Sequence, residues 1–291
     1  MARTLLPGQR AELFVADVAA GTLRLVYRSD RMLFEAPNWT PDGRFLVVNA
    51  DGGLWRLPAD GTAGPEPVDL AGVPPVNNDH LVLPSGAGYL VSADDGHIHL
   101  VDGRGGARRV TDSKEPARAF RHFLHGVSAD GTTIAYVGTE RADGDDWALR
   151  RVFTRALTGG PDVLVGDGFS PADGPEFGPD GMLYLNSEVG TGTAQLFRCA
   201  PDGSGLVRLT DDDRVNWFPH PSPDGRHLAY VSFPPGTAGH PENVDVLVRL
   251  CAPDGTGVRD VAAVFGGQGT MNVPSWAPDS ERFAFVAYPA G

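Results

Sequence analysis

One short turn, written six times, constrains this chain more than any other feature. The tripeptide Pro-Asp-Gly, followed by an apolar run, occurs at Pro41-Asp42-Gly43, Pro179-Asp180-Gly181 and Pro223-Asp224-Gly225. Weaker copies stand at Pro84-Ser85-Gly86, Ala129-Asp130-Gly131 and Pro278-Asp279-Ser280. Their central residues, 42, 85, 130, 180, 224 and 279, are 43, 45, 50, 44 and 55 positions apart, which is the spacing of a repeat array. Proline presets φ at the second turn position, aspartate tolerates the third, and glycine takes the left-handed conformation that closes a hairpin with a bulge.

Each turn is followed by a short apolar strand: Phe45 to Val48, Ile134 to Val137, Leu183 to Leu185, Leu228 to Val231 and Phe283 to Val286. These runs are continuous rather than alternating, as expected of strands covered on both faces. A half-polar third strand and an outer strand complete each unit, for example Gln195 to Arg198 and Leu206 to Thr210. The sixth copy has only two strands before the chain ends, whereas residues 12 to 27 supply two strands with no inner pair of their own. Joined, they make one unit. The expected fold is all-β: a single domain over residues 1–291 forming a six-bladed propeller, with four antiparallel strands per blade. The N-terminal strands complete the C-terminal blade and so remove the open sheet edges.

Composition agrees with short strands and many turns, since the chain holds 38 glycines and 25 prolines and only 21% charged residues. Cys199 and Cys251 sit in matching contexts, so they belong to equivalent places in neighbouring blades that diverge radially. Free, packed thiols are expected, which suits a reducing compartment. The net charge of -13 disfavours nucleic acid and anionic membranes. No signal-peptide core and no apolar run of about 18 residues is seen. A cytoplasmic location is expected as the chain is written, or a periplasmic or secreted one if a leader was removed.

The stretches Trp217-Phe218-Pro219-His220-Pro221-Ser222-Pro223-Asp224-Gly225, then His227-Leu228-Ala229-Tyr230, and Pro274-Ser275-Trp276-Ala277-Pro278-Asp279 resemble the TolB propeller repeat. The resemblance covers nearly the whole chain and implies the fold more firmly than a function, because such propellers serve as protein-binding platforms, peptidase accessory domains and enzymes. TolB carries a further N-terminal domain for which this chain has no room. The Gly-x-Ser-x-Gly elbow of prolyl-oligopeptidase-like hydrolases is absent, which argues against serine peptidase activity.

In a propeller the innermost strand lines the central channel, so candidate site residues follow by counting back from each turn. Four and five places back lie Asn38, His80, His125, Glu176 and His220; seven or eight back lie Asn78 (with Asp79 adjacent), Asp173, Asn216 and Asn272. His80, His125, Glu176 and His220 are a nitrogen-and-oxygen set that would suit a divalent ion such as Mn, Zn or Ca. Asn38, Asn78, Asp79, Asn216 and Asn272, with Arg141 and His240 from two long loops between second and third strands, would hold a polar ligand; Trp147 lies on the first of those loops. A water-filled channel would accept the same residues at little cost.

The resulting expectation is a monomer that binds a protein segment or polar small molecule at the channel mouth. The alternative is a metal-dependent carbohydrate-active enzyme resembling oligogalacturonide lyases. In that reading Arg121 or His122 would act as base or carboxylate clamp for an acidic sugar.

Overall fold

The computed structural model describes residues 3–142 and 144–290, and within them the side chains of all but 146–148. Six antiparallel sheets are arranged as blades. Blade 1 spans Glu35 to Pro67, blade 2 Val76 to Arg109, blade 3 Arg121 to Leu164, blade 4 Ala172 to Arg208 and blade 5 Val215 to Gly267, each with four strands in chain order. Among the described residues the only helical segment is a single 3-10 turn at Pro116–Arg118. In blade 6, Arg282–Ala287 pairs with Ala11–Asp17, which pairs in turn with Thr22–Ser29. Its inner place is taken by residues 270–276, held by Val286 N–H to the Thr270 carbonyl and Ala284 N–H to the Ser275 carbonyl, both 2.9 Å, and by a bridge from Trp276 to Phe283.

Ring closure runs from Glu12 opposite Ala287 to Asp17 opposite Arg282, so the expected joining of the termini holds in register. The second strands are buried along their length: Leu46, Ile134, Leu183, Leu228 and Phe283 are all fully inaccessible. Apolar clusters form across blade boundaries. Leu13, Val15, Ala284 and Val286 of blade 6 pack with Leu46, Val48 and Leu57 of blade 1. At roughly 1.5–3 kcal/mol for each such side chain, these seams supply the main driving force for the ring.

The six turns have one geometry. Gly43, Gly86, Gly131, Gly181 and Gly225 take φ between 69° and 78°, and the sixth copy places Ser280 there at φ 63°. The serine hydroxyl accepts the Asp224 N–H of blade 5 at 3.0 Å, tying neighbouring turns together. Cys199 and Cys251 are buried free thiols at matching strand ends, and burial pushes them up to about 11 and about 12.

A second regularity is absent from the simple repeat. Every inner strand of blades 1 to 5 carries a bulge, and its position decides which side chains enter the channel. Blade 2 pairs Val76 with Ala93 and then His80 with Val91, so Asn77, Asn78 and Asp79 form the bulge. Blade 3 bulges at His125 alone. In blades 1, 4 and 5 the bulge is a residue of left-handed φ followed by proline: Ala36, Gly174 and Phe218, at 52°, 59° and 57°.

A candidate ligand site at the channel mouth

The channel has two mouths, and the start of each inner strand faces the one opposite the Pro-Asp-Gly turns. There a cavity of about 240 Å³ lies between blades 2, 3, 4 and 5. Its polar lining is Asn77, Asn78 and Asp79 from the blade 2 bulge, His125 and Thr139 from blade 3, Asp173 from blade 4, His240 from blade 5, and Gln268 and Asn272 from the passage into blade 6. Phe123, Val137 and Phe218 add apolar wall. The volume corresponds to roughly eight waters.

His125 stands at the centre. Its Nε2 lies 3.2 Å from Asp173 Oδ1, its Nδ1 3.2 Å from the Asn272 carbonyl, and its ring stacks on Phe218 with centroids 5.8 Å apart. Burial alone would discharge the ring, but Asp79 and Asp173 outweigh it and raise His125 to about 9. Burial likewise lifts the Asp79 carboxyl to about 6, against the pull of His125. Asp173 is held below the ordinary range, because its bond to His125 overcomes the effect of burial. Burial lowers His240, whose Nδ1–H donates to Gln268 Oε1 at 2.7 Å while its ring meets the Trp217 and Phe218 rings edge-on, 4.4 and 5.2 Å away. At neutral pH the pocket therefore holds one imidazolium, one neutral imidazole and two carboxylates.

The phenyl ring of Phe218 reaches this wall only because its backbone is left-handed, a conformation that costs a bulky residue on the order of 1–3 kcal/mol. Beside the cavity, a wider depression shares Asn77, Asn78 and Gln268 with it and is rimmed by Glu35, Asp51, Asp94 and Glu242. Arg3 closes one side: its guanidinium lies over the Tyr288 ring at 4.3 Å, pairs with Glu35 and Glu242, and donates to the Gln268 carbonyl.

Of the residues expected at the ligand site, Asn78, Asp79, His240 and Asn272 line this cavity. Asn38 does not. It lies at the turn-side mouth, where Nδ2 donates to the Pro274 carbonyl and Oδ1 accepts the Val82 N–H. Asn216 is inaccessible and knits blades 4 and 5 through Gln195, Thr210, Asp212 and Ser232. Arg141 is exposed near the tip of the blade 3 hairpin. Most of that expected loop is paired strand, with Glu140 opposite Leu149 and Ala142 opposite Asp145; the Trp147 side chain lies outside the described residues.

The proposed base and clamp are not at the cavity either. Arg121 is exposed and donates to the Asp94 carbonyl. His122 is buried between blades 2 and 3 against His97, Phe120 and Tyr136, and burial lowers it to about 4. Nor does Arg118 supply a basic edge to the mouth, since it pairs with Glu140.

No family model matches the chain. Atu1656, an uncharacterized protein of Agrobacterium fabrum, is 36% identical over 284 residues, which cover 96% of this chain and 92% of that one. A solved structure assigned as TolB from Agrobacterium tumefaciens superposes with a TM-score of 0.88 at 36% identity, covering 97% of this chain and 99% of that one. The chain belongs to the TolB-like propeller family. More distantly, an oligogalacturonate lyase in complex with manganese shares 13% identity at a TM-score of 0.58, over 91% of this chain and 75% of that one. At that identity the likeness concerns the fold alone.

In this TolB-like propeller each of the three histidines expected to hold a metal turns a ring nitrogen to a backbone carbonyl. An imidazole nitrogen that faces a carbonyl oxygen must carry a proton and has no lone pair to give. His80 turns Nε2 to the Val47 carbonyl at 3.3 Å in the seam with blade 1, because it is the paired residue of its strand rather than the bulged one. His220 turns Nε2 to the Met271 carbonyl at 3.1 Å and Nδ1 to Glu176 Oε2 at 2.6 Å. Both nitrogens of His125 face acceptors. Among the described residues, no group of three or more His, Cys, Asp or Glu side chains is arranged to hold a metal ion.

Counting back from the turns located Asp173 near the mouth but gave it no role. Gln268, Phe218 and Arg3 were missed. Arg3 and Gln268 lie outside the repeat, and Phe218 sits inside it at a place where blade 1 has alanine and blade 4 glycine. The aromatic at that position is the one signal that sequence offered.

Proposed function

We propose that this TolB-like propeller binds a small polar ligand, or a polar side chain of a protein segment, in the cavity formed by blades 2 to 5. One observation carries the reading. A constellation of two buried carboxylates, the buried His125 imidazole and the partly exposed His240 imidazole, framed by the Asn78, Gln268 and Asn272 amides, opens into a cavity with a phenyl wall. Polar groups that converge on a partly apolar pocket, with titration shifted by burial and by one another, mark a default binding site.

The acidic-sugar reading fits less well, because Arg121 and Arg118 stand away from the cavity and the groups inside carry net negative charge. The reading is tested by thermal-shift screening with sugars, sugar acids, amines and amino acids, followed by calorimetry on each stabilising compound. A ligand at one hundred times its Kd adds about 2.7 kcal/mol. Phe218→Ala and Asn272→Leu should each weaken binding at least tenfold while the fold melts cooperatively. Hits that bind both variants as tightly as the parent protein would place the site elsewhere.

A further inference from the structure

Three acceptors of this cavity receive no donor from the described residues. Asp79 is 4% exposed, and Asn77 Nδ2 donates to its Oδ2 at 2.9 Å, while no hydrogen bond among the described residues reaches Oδ1. Asp173 commits Oδ1 to the Gly174 N–H at 2.8 Å and to His125, which leaves Oδ2 4.0 Å from His240 Nε2. Gln268 Oε1 also accepts from Asn272 Nδ2, so the amide is oriented to receive the His240 Nδ1–H. The neutral ring therefore turns its lone pair at Nε2 toward a carboxylate. Two acceptors facing one another at that distance repel, and a donor placed between them turns the repulsion into two bonds.

Charge leads to the same requirement. Asp79 and Asp173 share the single His125 imidazolium, so the two carboxylates exceed their counter-ion by one charge. The Phe123 and Phe218 rings in the wall suit a desolvated cation, and the acidic rim with a net charge of -13 favours its approach. An ammonium group is compact and carries three donors and no acceptor. We propose that the cavity seats the protonated primary amine of a small ligand, whose N–H donors meet Asp79 Oδ1, Asp173 Oδ2 and His240 Nε2. This rests on the polar-ligand reading above and adds the chemical class.

The groups facing Asp79 and its neighbour are Asn77 from its own blade, His125 from blade 3, Asp173 from blade 4 and His240 from blade 5. Because the amine needs an ionised Asp79, which titrates at about 6, affinity falls as pH is lowered through that value.

Matched pairs test the proposal by calorimetry at pH 7.5: putrescine against 1,4-butanediol, and glucosamine against glucose. Each amine is expected to bind at least tenfold tighter than its hydroxyl partner. The preference should disappear in Asp79→Asn and in His240→Leu, and shrink at least fivefold at pH 5. Equal affinity for amine and hydroxyl partners would overturn the amine but leave a polar site standing. Amine binding that survives both variants would overturn it too, as would Mn²⁺ or Zn²⁺ displacing the amines stoichiometrically in an Asp79-dependent way. If neither member of either pair binds, the amine proposal and the polar-ligand reading fall together. His240 borders a loop, so its variant answers the question even if Asp79→Asn fails to fold.

Discussion

At the turn-side mouth each blade contributes much the same piece, and Pro41, Pro84, Pro179, Pro223 and Pro278 surround an apolar hollow with Trp39, Phe177 and Trp276. Two of the polar side chains there are engaged: Glu176 is bonded to His220, and both amide ends of Asn38 are used. The opposite mouth is built from the other ends of the same strands, but no two blades contribute alike. Blade 2 offers three polar residues from one bulge, blade 3 a histidine, blade 4 an aspartate, and blade 5 a strained phenylalanine together with a loop histidine. Repetition at one end makes a uniform rim of prolines and aromatic rings. Irregularity at the other leaves acceptors open to a cavity, and open groups are what a ligand can use.

Both mouths depend on blade 6, which gives Trp276 to one and Asn272 to the other, so the most drastic way to break the comparison is to remove its outer strands. Deleting residues 1–28 exposes the edge of Arg282–Ala287, and loss of the cooperative melt, with aggregation, is expected in circular dichroism and light scattering. A variant melting near the parent temperature would refute closure through the termini.

Paired substitutions sharpen the contrast. Glu176→Ala strips a buried partner from His220 and should cost about 3 kcal/mol in urea unfolding, since breaking a buried pair strands the other member. Asp79→Asn removes a desolvated charge with no bonded counter-ion and should change stability by less than about 1 kcal/mol, in either direction. Similar losses in the two variants would mean that the mouths do not differ as described.

The smallest effect is a titration. His125 is raised in the folded protein from 6.5 to about 9, so its stabilising contribution is complete below pH 6.5 and fades as pH rises through about 9. Melting temperatures of the parent protein should fall more steeply between pH 7 and 9.5 than those of His125→Asn. Parallel curves would show that the ring is not charged.

The fold was legible because its signals are local and repeated. A proline, an aspartate and a glycine set each turn, and continuous apolar runs reveal strands covered on both faces. Even the split blade could be read, from Glu12–Val15 and Leu23–Val26 lacking inner partners. The site was legible only in part. Counting back from the turns assumes that every inner strand alternates alike, and the bulges break that assumption differently in each blade. His80 and His125 share a place in the count, yet the first is paired with Val91 and points into a seam, whereas the second is the bulged residue and points into the cavity. Asn216 and His122 went astray for another reason, since polarity near a channel does not separate a residue that lines it from one that stitches blades together. Gln268 and Arg3 reach the mouth from connecting segments, where no periodicity marks them.

A ring fastened by its first strand against its last also imposes an order on biosynthesis. The segment Ala11–Asp17 leaves the ribosome long before Arg282–Ala287 exists. At roughly 5–20 residues per second, it must wait between about fifteen seconds and a minute for its partner. Throughout that interval Leu13, Phe14 and Val15 lie on an unfinished margin able to pair with other chains. Shielding of the Ala11–Asp17 strand is thus needed from its emergence until Arg282–Ala287 has been made.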